Sequence, residues 1–353
     1  MNAWRTAVMT KAKPRLLVTR RIPESGLRLA RDFFAVVGGE DDRPLPREQL
    51  LAGIRGTEAL LCLLSERIDS EVMEAAGDSL RVISTMAVGY DNIDVPAATA
   101  RGILVTHTPD VLTEATADLT WALLLSVVRR IVEGDRLVRE GRFEQWSPFL
   151  LLGRELSGLT LGIVGMGRIG RAVARRAVGF NLRVIYTRKG GVLDPSLVPN
   201  GASWEYRASL AELLAEADIV SLHVPLTSGT WHLIGKRELA LMKPGAYLIN
   251  TARGPVVDEA SLVEALREGH LAGAGLDVYE NEPYLAAGLA DLPQVVLLPH
   301  LGSATVETRE RMARLAVENL VAFFQGRPVP CPVNPEVLRS FTGACTTCTG
   351  VES

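Results

Sequence analysis

The sequence predicts an α/β protein built from two doubly wound parallel-sheet domains, one of them inserted into the other. Three observations predict this fold class. Short apolar runs alternate with helix-like segments from residue 15 onward. A glycine-rich turn directly follows one apolar run near the middle of the chain. After the last apolar run only one long amphipathic segment remains, which indicates that the chain returns to the domain where it began.

The composition allows a large core and excludes several classes of partner. The chain has 353 residues, 47% of them hydrophobic, and a formal net charge of −3. This length favours two domains. No basic tract points to nucleic acid, and the longest apolar run, residues 119–128, is too short to span a bilayer. The first 13 residues lack the apolar centre of a signal peptide, so we expect a cytoplasmic protein.

The four cysteines predict neither a disulfide scaffold nor a metal site. Cys62 lies in an apolar run and is expected to be a core thiol. Cys345 and Cys348 form one C-x-x-C in a polar tail, but further ligands at metal-binding spacing are missing. We therefore expect no bound metal.

The first part of the chain reads as alternating strands and helices, a pattern typical of a parallel sheet with crossover helices. The predicted strands are residues 16–19, 59–64, 81–86 and 103–106, and the predicted helices are residues 24–30, 48–52 and 71–76.

A long helix is predicted over residues 113–139, with Thr113 as its N-cap and Glu114 in its first turn. An irregular aromatic segment, residues 141–153, follows it. A second α/β unit comes next, and its strands are predicted at residues 161–164, 183–187, 219–224, 246–250, 272–277 and 295–298. A final helix is predicted over residues 304–324.

The glycine-rich turn reads Gly165-Met166-Gly167-Arg168-Ile169-Gly170, between an apolar strand and an Ala- and Arg-rich helix. In this G-x-G-x-x-G pattern Gly165 allows the tight turn and Gly167 lets the backbone approach a pyrophosphate. Gly170 lets the helix pack close to the strand. The helix N-terminus then favours the phosphates. The pattern predicts a dinucleotide site, although a purely structural turn has the same sequence requirements.

These features predict the domain boundaries. Residues 113–301 are interpreted as a Rossmann dinucleotide-binding domain. Residues 15–112 and 302–335 are interpreted as a discontinuous flavodoxin-like substrate domain around it. Residues 1–14 are an N-terminal extension, and residues 336–353 are a C-terminal tail.

The end of the second Rossmann strand predicts the choice of cofactor. In domains that bind NAD, a carboxylate about 20 residues after the glycine turn contacts the ribose 2′-hydroxyl. Here the strand runs into Thr187-Arg188-Lys189 and offers two cations instead. An arginine can bind a 2′-phosphate with two parallel hydrogen bonds. The sequence therefore favours NADP(H), with NAD(H) possible, and a solvated basic turn is the alternative interpretation.

Charged side chains follow three successive strands of the second unit. Arg253 follows the first, Asp277 and Glu282 follow the second, and His300 follows the third. An arginine can hold a substrate carboxylate, and a histidine with a carboxylate partner can act as a general acid. Taken singly, each residue has an ordinary structural explanation. Together they are what the reduction of a 2-keto acid by a nicotinamide requires.

The chain resembles the D-2-hydroxyacid dehydrogenase family, and within it the glyoxylate/hydroxypyruvate reductases. The resemblance extends from about residue 15 to residue 335. It is carried by residues 60–69 (LLCLLSERID), 82–94 (VISTMAVGYDNID), 108–119 (TPDVLTEATADL), 162–170, 250–254, 273–283 and 299–305 (PHLGSAT).

The resemblance implies that Arg253, Glu282 and His300 are the catalytic set. It also implies that the backbone N–H groups of Val88 and Gly89 bind a substrate carboxylate oxygen, and that Leu64 contacts the substrate. The positions that line the cofactor in this family correspond here to Thr116, Arg168, Ile169, Val224, Thr230, Thr251, Ala252, Asp277, His300 and Gly302.

The resemblance further implies a homodimer, formed through residues 113–139 and an aromatic arm with Trp146 near the substrate. Simple packing of the arm is an equally good interpretation of Trp146. Two alternatives to a glyoxylate/hydroxypyruvate reductase remain open. One is a dehydrogenase for another acid such as 3-phosphoglycerate, for which this chain lacks the long C-terminal regulatory part that many such enzymes carry. The other is a dinucleotide-sensing regulator of the corepressor type, since fold alone does not determine function.

Overall fold

The computed structural model describes residues 12–341. Most of the predicted N-terminal extension, and both Cys345 and Cys348, lie outside the described residues. The chain divides into two compact units. The first comprises the described residues up to Val111 together with those from Thr305 onward, and the second is Leu112–Ala304.

Twelve strands and twelve helices are formed by the described residues. The strands, in chain order, are β1 (Arg15–Val18), β2 (Ala35–Gly38), β3 (Ala59–Cys62), β4 (Val82–Thr85), β5 (Leu104–Thr106), β6 (Thr160–Val164), β7 (Arg183–Thr187), β8 (Trp204–Tyr206), β9 (Ile219–Leu222), β10 (Ala246–Asn250), β11 (Leu271–Leu276) and β12 (Val295–Leu297). The helices are α1 (Glu24–Phe33), α2 (Arg47–Gly53), α3 (Ser70–Ala76), α4 (Val95–Ala100), α5 (Thr113–Val128), α6 (Ile131–Arg139), α7 (Arg168–Ala177), α8 (Leu210–Glu216), α9 (Lys236–Leu241), α10 (Glu259–Arg267), α11 (Val306–Phe324) and α12 (Glu336–Phe341).

The first unit contains a five-stranded parallel sheet in the order β2-β1-β3-β4-β5. This is the order of flavodoxin-like doubly wound folds. Strands β3 and β4 are buried along their whole length, as expected when helices cover both faces of a parallel sheet. Helix α11 packs against β4 and α1, so the chain does return to its first sheet at the end.

The second unit contains a seven-stranded parallel sheet in the order β12-β11-β10-β9-β6-β7-β8. The strand order reverses between β6 and β9, because β7 and β8 extend the sheet on one side of β6 and β9 to β12 extend it on the other. Ligands of doubly wound sheets bind beyond the carboxyl ends of the strands at such a switch point. The predicted fold class is therefore confirmed.

The single helix predicted over residues 113–139 is wrong, because the chain forms α5 and α6 with a break at Arg130. Arg130 has a left-handed φ of 54°. A segment that returns later in the chain caps the end of α5 at this break, because the backbone N–H of Arg154 donates to the carbonyl of Val128 at 3.1 Å. The predicted N-cap is also displaced, since Leu112 is the N-cap and Thr113 is the first helical residue.

Several strands differ from the prediction at their ends, and β2, β8, α4 and α12 were not predicted. The strand predicted over residues 59–64 ends at Cys62, because the Leu63 N–H donates to the Glu66 carboxylate at 2.8 Å and turns away from the sheet. Strands β2 and β8 lie at sheet edges. The apolar residues of β2 directly continue the apolar end of α1, with no turn signal between them, and β8 is only three residues long. Helix α4 is only six residues long, too short for a periodic pattern.

One helical turn and a half, α12, lies in the predicted C-terminal tail. Among the helices that the structure describes, none is long and apolar enough to cross a membrane.

Candidate active site

The glycine turn after β6 has the geometry that a bound pyrophosphate requires. Gly165 has a φ of 98°, and a Cβ there would lie 2.7 Å from the His223 carbonyl. A Cβ at Gly170 would lie 2.2 Å from the Gly165 carbonyl oxygen, so only glycine allows this close packing of α7 on the turn. A Cβ at Gly167, in contrast, would meet no described atom within 4 Å. The open side of the turn is therefore at Gly167.

Helix α7 begins at this open side. Gly167 is its N-cap and has no side chain with which to cap it. The N-terminus of a helix attracts phosphate oxygens through its amide groups and its dipole. Arg168 and Ile169 are the first residues of α7, where the sequence predicted cofactor contacts. The residues present therefore fit a dinucleotide phosphate.

The glycine turn also contacts the end of the second Rossmann strand. The Gly165 N–H donates to the Thr187 carbonyl at 3.0 Å, which brings residues 187–189 beside the turn. Arg188 is partly exposed, and its Nε donates to the Lys189 carbonyl at 3.3 Å. Among residues 12–341, Arg188 forms no ion pair with a carboxylate. Its charge is thus available to an anionic ligand beside the glycine turn.

The turn that carries Arg253 follows β10 and is shaped by Asn250. The Asn250 side chain accepts the Ala252 N–H at 3.0 Å and donates to the Arg253 carbonyl at 2.9 Å. Next in the chain, a Cβ on Gly254 would lie 1.8 Å from the backbone of Tyr279. The Arg253 turn and the loop after β11 therefore pack backbone against backbone.

His300 and Glu282 form the pair that the sequence predicted. His300 Nδ1 lies 3.0 Å from Glu282 Oε2, and the other Glu282 oxygen accepts the Tyr279 N–H at 3.1 Å. Burial raises the pKa of Glu282, but the hydrogen bond and the charge of His300 outweigh it, and the net pKa is lowered. Because Nδ1 is bound to the carboxylate, Nε2 is the ring nitrogen that can exchange a proton with a ligand.

Asp277 holds the turn on which His300 lies. It is buried, its two carboxylate oxygens accept the Leu301 and Gly302 N–H groups at 2.6 and 2.8 Å, and its backbone carbonyl accepts the His300 N–H. Burial raises the pKa of Asp277 above its ordinary value, although these hydrogen bonds oppose the shift. His300 itself has a left-handed φ of 55°, a conformation that a non-glycine residue adopts only when its surroundings impose it.

The remaining predicted cofactor positions also belong to the second unit. Thr116 is buried at the start of α5, and its hydroxyl donates to the Gly302 carbonyl at 3.0 Å. Thr251 is buried against Thr120, with 2.9 Å between their hydroxyl oxygens. Val224, Thr230 and Ala252 lie just beyond the carboxyl ends of β9 and β10.

The predicted substrate contacts are divided between the units. Leu64, Val88 and Gly89 lie in the first unit, in loops that follow β3 and β4. Leu64 is part of an exposed loop, and Val88 and Gly89 are half-buried. Trp146 lies in the second unit, within the irregular segment after α6, and is 78% exposed.

Sequence reasoning missed the residues that hold the functional loops in place. Asn250 and Thr120 are examples, since each acts on the site through hydrogen bonds to its neighbours. Asn250 had a detectable signal, because a lone asparagine at the end of a buried strand is typical of a side chain that stabilises a turn. In the part of the chain that the structure describes, no group of three or more His, Cys, Asp or Glu is arranged to hold a metal ion.

The chain is similar to known proteins over most of its length. Residues 121–302 match the family model described as the NAD-binding domain of D-isomer specific 2-hydroxyacid dehydrogenases. A glyoxylate reductase from Pyrococcus furiosus is 51% identical over 334 residues, which cover 93% of this chain and 97% of that protein.

Two solved structures are similar over nearly the whole chain. A protein from Thermus thermophilus has a TM-score of 0.82 and 51% identity, and the match covers 90% of this chain and 99% of that one. An NADPH-dependent glyoxylate/hydroxypyruvate reductase from Sinorhizobium meliloti, solved in complex with NADP and malonate, has a TM-score of 0.80 and 36% identity, and the match covers 91% and 97%.

Proposed function

Because this chain belongs to the D-isomer specific 2-hydroxyacid dehydrogenase family, and is thus an NAD(P)-dependent dehydrogenase, we propose that it reduces small 2-keto acids with NADPH. The proposed reactions are glyoxylate to glycolate and hydroxypyruvate to D-glycerate. The observation that carries the proposal is the hydrogen bond between His300 Nδ1 and Glu282 Oε2 at 3.0 Å. The family relatives named glyoxylate reductase support the choice of substrate.

His300 is the proton donor of the proposed reaction. Reduction of a 2-keto acid adds a hydride to the carbonyl carbon and a proton to the carbonyl oxygen, and the reduced nicotinamide supplies the hydride. Glu282 fixes the orientation of the imidazole through its hydrogen bond with Nδ1. Nε2 then delivers the proton to the oxygen as negative charge develops there.

Arg253 is the proposed anchor for the substrate carboxylate. A guanidinium can donate two parallel hydrogen bonds to a carboxylate, which fixes both its position and its orientation. The turn that presents Arg253 is braced by Asn250 and packed against the loop of Glu282. The charge of Arg253 also contributes to the lowered pKa of Glu282. Substrate contacts by Leu64, Val88, Gly89 and Trp146 stay predictions.

The dinucleotide is proposed to bind along the carboxyl ends of β6, β7 and β9. The open space at Gly167 would accommodate the pyrophosphate, and the N-terminus of α7 would stabilise its negative charge. Arg188, which lacks a carboxylate partner among the described residues, would bind a 2′-phosphate, with Thr187 and Lys189 beside it. The family positions Thr116, Val224, Thr230, Thr251, Ala252, Asp277 and Gly302 are proposed to line the rest of the cofactor.

The protein is proposed to form a homodimer in the cytoplasm. None of the residues of α6, all of which the structure describes, is buried. Several large apolar side chains of α6 and the segment after it are exposed, and Phe149 is 81% exposed. An exposed apolar patch of this kind is typical of a protein interface. It supports the dimer that the family resemblance implies, with this chain as its own partner.

A steady-state assay of NADPH and NADH oxidation tests the proposal. The substrates are glyoxylate, hydroxypyruvate, pyruvate and 3-phosphohydroxypyruvate. We expect glyoxylate and hydroxypyruvate to react fastest and NADPH to be preferred. Selective turnover of the phosphorylated acid would contradict the substrate class. Dinucleotide binding without turnover of any acid would contradict the enzymatic role and favour a sensor.

The variant Arg188→Ala tests the cofactor preference in the same assay. It should raise the KM for NADPH and leave the KM for NADH nearly unchanged, because only NADPH carries the 2′-phosphate. NADH therefore serves as the internal control. An equal change for both cofactors would mean that Arg188 does not bind the 2′-phosphate.

A further inference from the structure

Glu259 is a buried carboxylate in the second unit, and it takes no part in the proposed reaction. It is the first residue of α10 and only 3% exposed. Within residues 12–341 it forms no ion pair with Lys, Arg or His. Its oxygens are nevertheless both occupied: Oε1 accepts the Glu280 N–H at 2.7 Å, and Oε2 accepts the Ala286 N–H at 3.3 Å.

The two donors enclose the segment that carries Glu282. Within the described residues, the backbone-to-backbone hydrogen bonds of residues 278–286 are local ones, from Tyr284 to Asn281 and from Leu289 to Ala286. The backbone of this segment is therefore not fixed to the sheet by a strand ladder. Glu259 provides the fixed acceptor at each end of the stretch that contains Glu282.

The burial of the Glu259 carboxylate costs the folded state free energy. Burial raises the pKa of Glu259, and the nearby negative charges of Glu280 and Glu282 raise it further, while the two backbone hydrogen bonds act in the opposite direction. A buried carboxylate is tolerated only when its oxygens are satisfied by hydrogen bonds. A glutamine here would carry no charge, but its amide has one acceptor oxygen and an NH₂ group that cannot accept a hydrogen bond.

We propose that Glu259 is a positioning residue that holds the loop of Glu282 so that Glu282 meets His300. Glu259 accepts backbone hydrogen bonds on both sides of Glu282, and Glu282 is hydrogen-bonded to the imidazole of His300. The role rests on the proposed function, because it matters for catalysis only if His300 is the proton donor. Glu259 itself contacts neither substrate nor cofactor in this proposal.

A double-mutant cycle on kcat tests the proposal, with the variants Glu259→Gln, Glu282→Gln and the pair together. A misplacement of ~1 Å away from the reacting atoms can lower a rate by up to ~10²-fold, so we expect Glu259→Gln to lower kcat within that range. In the Glu282→Gln background the same change should have no further effect. An equal effect in both backgrounds would show that Glu259 does not act through Glu282 and would overturn the proposal.

The matched control is Glu264→Gln on the same helix. Glu264 is exposed and forms an ion pair with Lys236 at 2.9 Å. This substitution changes the net charge by the same amount and should leave kcat unchanged. If Glu259→Gln does not fold, Glu259→Asp replaces it, because the shorter side chain keeps the charge but cannot reach both donors. A normal kcat in the folded variant would overturn the proposal.

A second readout does not depend on activity. The chain contains five histidines, so the ring signals can be resolved by NMR with ¹³C-labelled histidine and assigned by substitution. In Glu259→Gln the His300 signal should move in the same direction as in Glu282→Gln, and in Glu264→Gln it should not move. An unmoved His300 signal in Glu259→Gln would overturn the proposal. If the signal moves but the unmodified chain reduces no 2-keto acid, the proposed function fails and the role of Glu259 stands.

Discussion

At the scale of single residues, His300 is held by two carboxylates that act on different parts of it. Glu282 binds the imidazole ring, while Asp277 binds the backbone on its C-terminal side. The left-handed φ of His300 costs roughly 1–3 kcal/mol for a non-glycine residue. The three hydrogen bonds to Asp277 offset that cost. The contacts to the ring and to the backbone thus orient the imidazole before a substrate binds.

The substitution His300→Gln should lower kcat by ~10²–10⁴-fold, the usual loss when a general acid is removed. The dissociation constant of NADPH, measured by fluorescence, should change little. His270→Gln is the control, because His270 contacts the backbone carbonyls of Leu239 and Met242, which lie away from the strand ends that carry the site. Near-normal turnover by His300→Gln would contradict the assignment of the proton donor.

The lowered pKa of Glu282 predicts how stability changes with pH. Its ordinary value is 4.5, and in the folded protein it is lower. A carboxyl group with a lowered pKa stabilises the folded state above its unfolded pKa, and this contribution is lost as the pH falls through the folded pKa.

Denaturant unfolding at several pH values checks this expectation. The unmodified chain should be more stable than Glu282→Gln at pH 6, and the difference should shrink below about pH 4.5. A difference that stays constant down to pH 3 would mean that the carboxylate of Glu282 does not stabilise the fold.

The sequence predicted the chemical groups of the site but not the residues that brace them. Arg253, Glu282 and His300 were predictable because each follows an apolar run that reads as a strand. Glu259 was not singled out, because a hydrogen bond from a side chain to a distant backbone N–H leaves no periodic pattern. Asn250 was overlooked although its hydrogen bonds are local and its place at the end of a strand is a signal of a turn. Glu259 lies in a helix whose first turn commonly contains acidic residues for other reasons.

At the scale of structural elements, the turn between β6 and α7 combines close packing with one open position. Gly165 and Gly170 are enclosed by backbone atoms, and Gly167 faces open space. The G-x-G-x-x-G pattern alone predicted this division of roles. The strand and helix on either side were predictable too, since the change from an apolar run to an amphipathic segment is visible in the sequence.

The substitution Gly167→Ala should leave the fold intact and weaken the binding of NADPH. A Cβ at Gly167 meets no described atom within 4 Å, but it would occupy the space proposed for the pyrophosphate. Gly179→Ala is the matched control, because a Cβ there also meets no described atom within 4 Å, at the 3₁₀ turn after α7. Thermal unfolding and NADPH titration measure the two effects. Unchanged affinity in Gly167→Ala would contradict the proposed pyrophosphate position.

The break between α5 and α6 shows where prediction of elements failed. The helical pattern is found on both sides of Arg129 and Arg130, so a single helix is predicted from the sequence. At the break, Arg154, which lies 24 residues after Arg130, caps Val128. A contact between distant parts of the chain cannot be read from local periodicity. Edge strands β2 and β8 were missed because β2 continues the apolar end of α1 without a turn signal and β8 has only three residues.

At the scale of the whole molecule, the apolar side chains after α5 predict the oligomeric state. Sedimentation analysis should give a homodimer, and Phe149→Asp should shift the equilibrium toward the monomer, because a charge is costly in a buried interface. Val178→Asp is the control. It places a charge on another exposed apolar residue, at the 3₁₀ turn after α7. A monomeric unmodified chain would contradict the proposal.

The arrangement of the two sheets followed largely from the order of apolar runs. Alternation of strands and helices predicts parallel sheets, and right-handed crossovers leave few possible orders. The lone helix after His300 indicated the discontinuous first unit, and α11 does pack on β4. The course of the chain over residues 141–153 was not predictable, because this segment has no periodicity from which an element could be assigned.

The contact of Gly254 with the backbone of Tyr279 has a consequence for the engineering of substrate range. At Gly254 no side chain separates the turn of Arg253 from the loop of Glu282, and any Cβ there would meet the Tyr279 backbone, so no substitution of Gly254 can change that spacing gradually. A directed-evolution library aimed at larger keto acids would find only inactive variants at Gly254. Substitutions are better introduced at residues outside these two turns. There a change in side-chain size alters the space for the substrate and leaves the relative positions of Arg253, Glu282 and His300 unchanged.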